Sequence, residues 1–232
     1  MTTVALIGAD GSGKTTVAAG LARVLPRPVR YLYMGVSTDS SNVMLPTTRI
    51  ARRLKRALGA PPDTAGPPSH EAIAARRRPK SLPFRVLRAG RAALRLGNRT
   101  AEEWYRQVVS WRWQRQGAIV IYDRHFFIDY HAYDVSGAHA RSLEQRIHGL
   151  LLRRLPKPDL VVYLDAPGEV LKARKGEGTV EALEQRRTEY RAIASIVPRF
   201  VEVDATKSVE DVVHAVADHI MAVIDGPSEP EP

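Results

Sequence analysis

The 232-residue chain contains no cysteine, which excludes disulfide frameworks, thiolate metal sites and cysteine nucleophiles. It also lacks long hydrophobic runs. Stretches such as AIVIY (118–122) and LVVYL (160–164) fall far short of the roughly 20 residues that span a bilayer. No signal peptide is expected, because a strand-like run begins at once and leads straight into a glycine-rich loop. A cytoplasmic protein is the expectation. Acidic residues are scarce in one region: from Arg49 to Arg99 there are 14 Lys/Arg against Asp63 and Glu71 alone. That stretch carries +12 of a whole-chain balance of +10, so the remainder sums to −2. Aromatics are scarce there too, with only Phe84 between residues 39 and 103. The overall composition, 44% hydrophobic and 26% charged, is that of an ordinary globular protein. The length fits one domain with an insertion.

What is present is an alternation of strands and helices. Thr3–Ile7 is wholly apolar, as a parallel strand buried on both faces would be. The loop GADGSGKTT opens a helix that Pro26 and Pro28 end, and Val29–Met34 reads as a second strand. Residues 39–99 form the basic insertion, broken by GAPPDTAGPPS (59–69) and by RRRPKSLP (76–83), and expected to be partly mobile. Helical patches are predicted over about Pro46–Leu58 and Phe84–Leu96. A third runs from Thr100, with Glu103 completing a capping box, to Gln116, where Gly117 can end it. Strands follow at Ala118–Tyr122, Leu160–Leu164 and Phe200–Val203, with helices near Ala140–Leu155, Val180–Ser195 and Val209–Ile224. The expected fold is α/β, a five-stranded parallel sheet flanked by helices. It forms a single domain over 1–224, with 225–232 a disordered tail. Ligands of such sheets bind beyond the carboxyl ends of the strands. Gly8, Asp123, Asp165 and Asp204 stand at four of those ends.

Gly8-Ala-Asp-Gly-Ser-Gly13-Lys14-Thr15 matches G-x-x-x-x-G-K-[ST] between a strand and a helix. The glycines Gly8, Gly11 and Gly13, with Ser12 between, let backbone N–H groups turn inward around phosphate oxygens. The helix N-terminus, at Thr15 and Thr16, adds its positive dipole end. Lys14 can reach β/γ phosphates, and the Thr15 hydroxyl can ligate Mg²⁺. Asp123 ends an apolar strand, the position of an acid that holds the magnesium shell. Arg124 beside it suits bidentate phosphate recognition. A P-loop fold that takes nucleotide phosphates with Mg²⁺ is therefore expected.

Four blocks together resemble the thymidylate kinases, within the P-loop nucleoside monophosphate kinases. GADGSGKTT carries the family's acid at Asp10. IVIYDRH (119–125) is similar to its strand and Asp-Arg-aromatic triplet. PDLVVYLDAPGEVLKARKGEG (158–178) resembles its strand, short helix and basic lid loop. RFVEVDATKSVEDVVHAV (199–216) resembles its last strand, turn and helix, whose turn, here Asp204-Ala205, packs against the adenine of ATP. The blocks cover about 1–35 and 100–224. The resemblance implies transfer of the ATP γ-phosphoryl group to a nucleoside monophosphate or similar phosphorylated small molecule. It implies that Asp10 faces the acceptor or the metal shell, and that Arg124 holds the acceptor phosphate. Arg174, with Lys172 and Lys175, would cover the transferring group, making Lys14, Arg124 and Arg174 the catalytic set. A homodimer is also suggested. The family's Arg-Glu-Pro-Gly-like stretch after the second strand is replaced here by Tyr33-Met34-Gly35-Val36-Ser37-Thr38. The ATP half is kept and the acceptor half rebuilt.

Two alternatives stay open: a kinase of a non-nucleotide metabolite, and a P-loop ATPase or binding module that uses its basic arm on a membrane or nucleic acid. Nucleic acid is the less expected partner, because base stacking needs aromatics the insertion lacks. Peripheral membrane contact suits basic amphipathic helices. Trp104 and Trp111, seven apart, are expected to share a face and pack the core. His125, Asp129, His131 and Asp134 invite a metal reading, but loop and acceptor-pocket roles fit that helix-poor stretch better.

Overall fold

The strands form as their sequences dictate. In the computed structural model, which describes residues 1–35, 41–57, 59, 82–126, 128, 143–176 and 178–226, five parallel strands make one sheet. They are β1 (Thr2–Ile7), β2 (Val29–Tyr33), β3 (Ile119–Asp123), β4 (Leu160–Asp165) and β5 (Phe200–Asp204), in the order β2-β3-β1-β4-β5. This α/β architecture, with helices flanking an all-parallel sheet in that order, is consistent with the P-loop NTPase fold. β1 and β4 are buried at every position, which is why they read as unbroken apolar runs instead of alternating ones.

The two faces of the sheet are covered by different helices. On one, Val4, Leu6, Ile121, Val162 and Val203 pack with Val17 and Leu21 of α1 (Lys14–Val24) and with Val213, Val216 and Ile220 of α7 (Val209–Asp225). Gly20 lets α1 approach α7 closely, since a Cβ there would lie 2.5 Å from a Val213 methyl. On the other face, Ala5, Ile7, Leu32, Val120, Tyr122 and Tyr163 meet Leu152 of α4 (Leu143–Leu152) and Tyr190 of α6 (Val180–Ala192). Trp104 and Trp113 of α3 (Leu82–Arg115) pack against that same cluster. α5 (Gly168–Lys175) follows β4 closely, and a 3₁₀ turn, Ile193–Ser195, follows α6.

The insertion after β2 contains α2 (Pro46–Ala57) and then α3. Here the structure departs from expectation. Phe84–Leu96 and Thr100–Gln116 are not two helices but parts of the single 34-residue α3. The capping box fails because Glu103 is committed elsewhere: it accepts from Arg99 at 3.2 Å and lies 2.9 Å from His148 on α4. Thr100 Oγ1 is left buried without a hydrogen-bond partner. Trp111 is also not a core residue. It is 37% exposed and meets Trp104 edge to face, with ring centroids 6.3 Å apart. α7 continues through Asp225, one residue into the expected tail. Most of the proline-broken stretch 59–83, the start of the helix expected at Ala140, and 227–232 lie outside the described residues.

Candidate functional site

Parallel register brings the strand ends together. Leu6 pairs with Asp123, and Tyr33 also pairs with Asp123, so the loop after β1 opens beside the ends of β3 and β2. The loop turns through left-handed glycines at Gly11 (φ 93°) and Gly13 (φ 87°), and Gly13 caps α1. Gly8 has no room for a side chain: a Cβ there would lie 2.7 Å from the Leu164 carbonyl oxygen and from Ser12 Oγ. A cleft of about 580 Å³ lies over this loop, lined by Asp10, Gly11, Gly13, Lys14, Thr15 and Thr16. Tyr31, Tyr33, Asp123, Arg124, Arg174 and Lys175 complete it.

Within the loop, the Lys14 ammonium donates to the carbonyls of Gly8 (2.9 Å) and Ala9 (3.0 Å). It is therefore folded over the loop that it would leave to meet a phosphate. Ser12 Oγ is buried without a hydrogen-bond partner, as is Asp123 Oδ1. The other Asp123 oxygen accepts from the Tyr31 phenol at 2.5 Å, and Tyr31 also meets the Thr15 hydroxyl. Burial raises the Tyr31 pKa above its ordinary value, and the Asp123 carboxylate raises it further. The phenol thus stays protonated and donating. Thr15 and Asp123 offer hard oxygen atoms of the kind that suits Mg²⁺, with the Tyr31 phenol orienting the carboxylate. The buried, unpartnered Asp123 oxygen is the observation that fits a metal's hydration shell there.

Arg124 follows Asp123 with φ 64°, the one non-glycine residue in the left-handed region among the described residues. Its guanidinium pairs with Asp10 at 2.8 Å. Burial tends to raise the Asp10 pKa, but Arg124, Lys14 and Lys175 outweigh it and hold the carboxyl below its ordinary value. Asp10 and Arg124 therefore face each other as full charges across the cleft. Next to Arg124, His125 is fully buried with both ring nitrogens unpartnered. Burial pushes its pKa down to about 4, so it is neutral near neutral pH.

The remaining expected residues divide. Arg174 and Lys175 line the cleft from the end of α5, but the Arg174 guanidinium donates to the Ala205 carbonyl at 2.9 Å. That bond ties the basic turn to the start of the Asp204-Ala205 turn. Asp204 itself accepts from the backbone and hydroxyl of Thr206 (2.9 and 2.6 Å), so it shapes a turn and is not part of the cleft lining. Asp165 is not part of the cleft lining either. Its carboxylate receives Arg187 through two nitrogens (2.8 and 2.6 Å), Arg191 (3.0 Å) and the Tyr163 phenol (2.6 Å). The Arg187 hydrogen bonds lower the Asp165 pKa, against burial that raises it. Asp129, His131 and Asp134 lie outside the described residues.

Sequence reasoning missed Tyr31 and Tyr33. The signal was available: two tyrosines at i and i+2 at the end of a strand lie on one face. It also missed a second cavity, about 420 Å³, lined by Leu94, Arg95, Asn98, Arg99, Glu102, Glu103, Arg106 and Gly35. Arg106 is buried there and donates to the carbonyls of Gly35 (2.9 Å) and Val43 (3.3 Å). Gly35 in turn packs against the Tyr33 ring and the Arg124 stem, so the second cavity adjoins the first.

No protein-family model matches the chain, and no curated protein matches it. The functional reading rests on the loop, the cleft and the charges that line it.

Proposed function

We propose that the protein is an ATP-dependent phosphotransferase of the thymidylate kinase-like kind, moving the γ-phosphoryl group of Mg·ATP to a phosphorylated small molecule. The observation that carries this reading is the glycine loop Gly8–Thr15 facing Asp123, whose second carboxylate oxygen is buried and unpartnered. Backbone N–H groups of Gly11, Gly13 and Lys14 would receive the donor's phosphates at the positive end of α1. Lys14 would exchange its two carbonyl partners for phosphate oxygens. Thr15 and Asp123 would hold Mg²⁺, which would supply positive charge against the charge developing on the transferring phosphoryl group. Tyr31 keeps Asp123 oriented by donating to its other oxygen. Arg124, released from Asp10, would hold the acceptor phosphate with two nitrogens. Arg174 and Lys175 lie on the remaining side of the cleft, where cations lower the barrier to transfer between anions.

The acceptor is most simply a nucleoside monophosphate. A second reading, a non-nucleotide acceptor, draws support from the cavity beside Gly35, which adjoins the cleft where the family's acceptor stretch is replaced. The test is ADP release from Mg·ATP against a panel of nucleoside and deoxynucleoside monophosphates, with Lys14→Ala as the blank. Turnover with one member, reduced roughly 10²–10³-fold in the variant, supports a nucleotide kinase. ATP binding without turnover across the panel excludes a nucleoside monophosphate acceptor. Undiminished turnover in Lys14→Ala overturns the phosphate-loop reading altogether.

A further inference from the structure

The cleft leaves the basic arm unused. α2 holds five Arg/Lys and no acid in 12 residues. It is fastened to the domain at its N-terminal end, where Leu45 N donates to both Glu102 oxygens (3.2 and 3.1 Å) and the Thr48 hydroxyl to Asn98 (3.4 Å). Beyond that anchor, Ile50 is 57% and Leu54 60% exposed. Four residues apart, they share one helix face. Arg49, Arg53 and Arg56 are exposed on the same short helix. On α3, one turn before Asn98, Leu94 is 75% exposed between exposed Arg91 and Arg95. The arm therefore presents aliphatic side chains to water inside a field of cations.

We propose that α2, flanked by the Leu94 turn of α3, docks on an anionic lipid surface. Ile50, Leu54 and Leu94 enter the acyl boundary, while the arginines lay their stems along it and meet lipid phosphates and carboxylates. Charge complementarity selects an anionic partner, since residues 49–99 carry +12. The aliphatic face selects lipid over nucleic acid: Ile and Leu gain nothing against a phosphate backbone, and stacking would need aromatics that the arm lacks. Leu94, Arg95, Asn98 and Arg99 also line the cavity that reaches Gly35. Docking therefore sets that cavity beside the lipid surface.

Sedimentation of the full chain with vesicles tests this, using phosphatidylcholine alone and equal parts phosphatidylcholine and phosphatidylserine. The expected result is binding to the serine-containing vesicles only, weakened by salt. Ile50→Ser with Leu54→Ser should lower the partition roughly tenfold or more. Arg53→Gln with Arg56→Gln should lower it roughly fivefold per charge removed. All four side chains are exposed, and an unchanged urea midpoint confirms that each double variant is folded. Lys14→Ala should bind as the parent does, so docking stands or falls separately from phosphoryl transfer. The proposal is overturned if the parent does not bind the anionic vesicles, or if the Ile50/Leu54 variant binds them equally well. It is also overturned if single-stranded DNA binds the arm and the aliphatic substitutions leave that binding, and the vesicle binding, unchanged.

Discussion

Arg124 holds a left-handed backbone (φ 64°) that its side chain disfavours by about 1 kcal/mol. Its N–H donates to the Leu6 carbonyl at 3.1 Å, so the turn is fixed from β1, and the guanidinium is carried over the cleft toward Asp10. Arg124→Gly separates the backbone strain from the role proposed for the guanidinium. Glycine keeps the turn and loses the charge. The variant should be as stable as the parent or more stable by about 1 kcal/mol, yet lose roughly 10²-fold in phosphoryl transfer. Urea unfolding and ADP release measure the two halves. A large drop in midpoint would instead make Arg124 a packing residue and sink the assignment. The loop residues around it were legible in the sequence because they are contiguous: seven positions from Gly8 to Lys14 carry their own geometry. The i, i+2 spacing of Tyr31 and Tyr33 marked a shared strand face, but that Tyr31 meets Asp123 was not legible, because it depends on the register that sets β2 beside β3. Asp165 misled for the same reason, since its partners Arg187 and Arg191 lie 22 and 26 residues away.

At the scale of elements, α3 shows how a local boundary signal loses to packing. The end of the Phe84–Leu96 patch and the Thr100/Glu103 pair looked like a stop and a start. Instead the helix runs through both, because Glu102, Glu103 and Arg106 find partners on the segment after β2 and on α4. Gly97 is exposed, and a Cβ on it would meet nothing within 4 Å. Gly97→Ala should thus stabilise the chain by about 0.5–1 kcal/mol through helix propensity alone, and a lowered urea midpoint would mean the site needs the glycine. α6 makes the opposite case, a charged anchor that ties a helix to the end of β4. Arg187 and Asp165 are only 17% and 11% exposed and share two hydrogen bonds. Arg187→Leu strips a mostly buried carboxylate of its main partner and should cost about 3 kcal/mol at neutral pH. The folded-state pKa of Asp165 lies below its ordinary 3.8. The pair's contribution is therefore present above that value and disappears as pH falls through the lower, folded-state pKa. The gap between parent and variant midpoints should stay constant down to about pH 4 and close below it. A gap that persists unchanged in stronger acid would assign the loss to packing of the arginine stem.

For the whole molecule, the decisive feature is that β1 stands at the centre of the sheet, with β2 and β3 on one side and β4 and β5 on the other. The sequence already showed five strand-like runs alternating with helices, four of them ending in a glycine or an acid, which is enough for a parallel α/β sheet. It did not show the lateral order, because pairing between runs up to 156 residues apart, such as Val4 with Leu160, leaves no trace in local periodicity. This central position couples the site to global stability: the loop hangs from β1 and opens α1, which packs on α7 along the far face. A ligand held by the loop must then stabilise the whole chain against unfolding, not merely quiet a surface segment. At a concentration of Mg·ATP one hundred times its dissociation constant the gain should be about 2.7 kcal/mol. Unfolding followed by the three tryptophans, all on α3 and outside the lining of the cleft, reports this without direct interference from bound nucleotide. Asp123→Asn should keep the stabilisation by ATP alone and lose the increment that Mg²⁺ adds, because the substitution removes a charge from the metal's side of the cleft. Lys14→Ala should lose most of both. If Mg·ATP protects Lys14→Ala as fully as the parent, the nucleotide binds elsewhere, and the cleft over Gly8–Thr15 is not where this protein meets its donor.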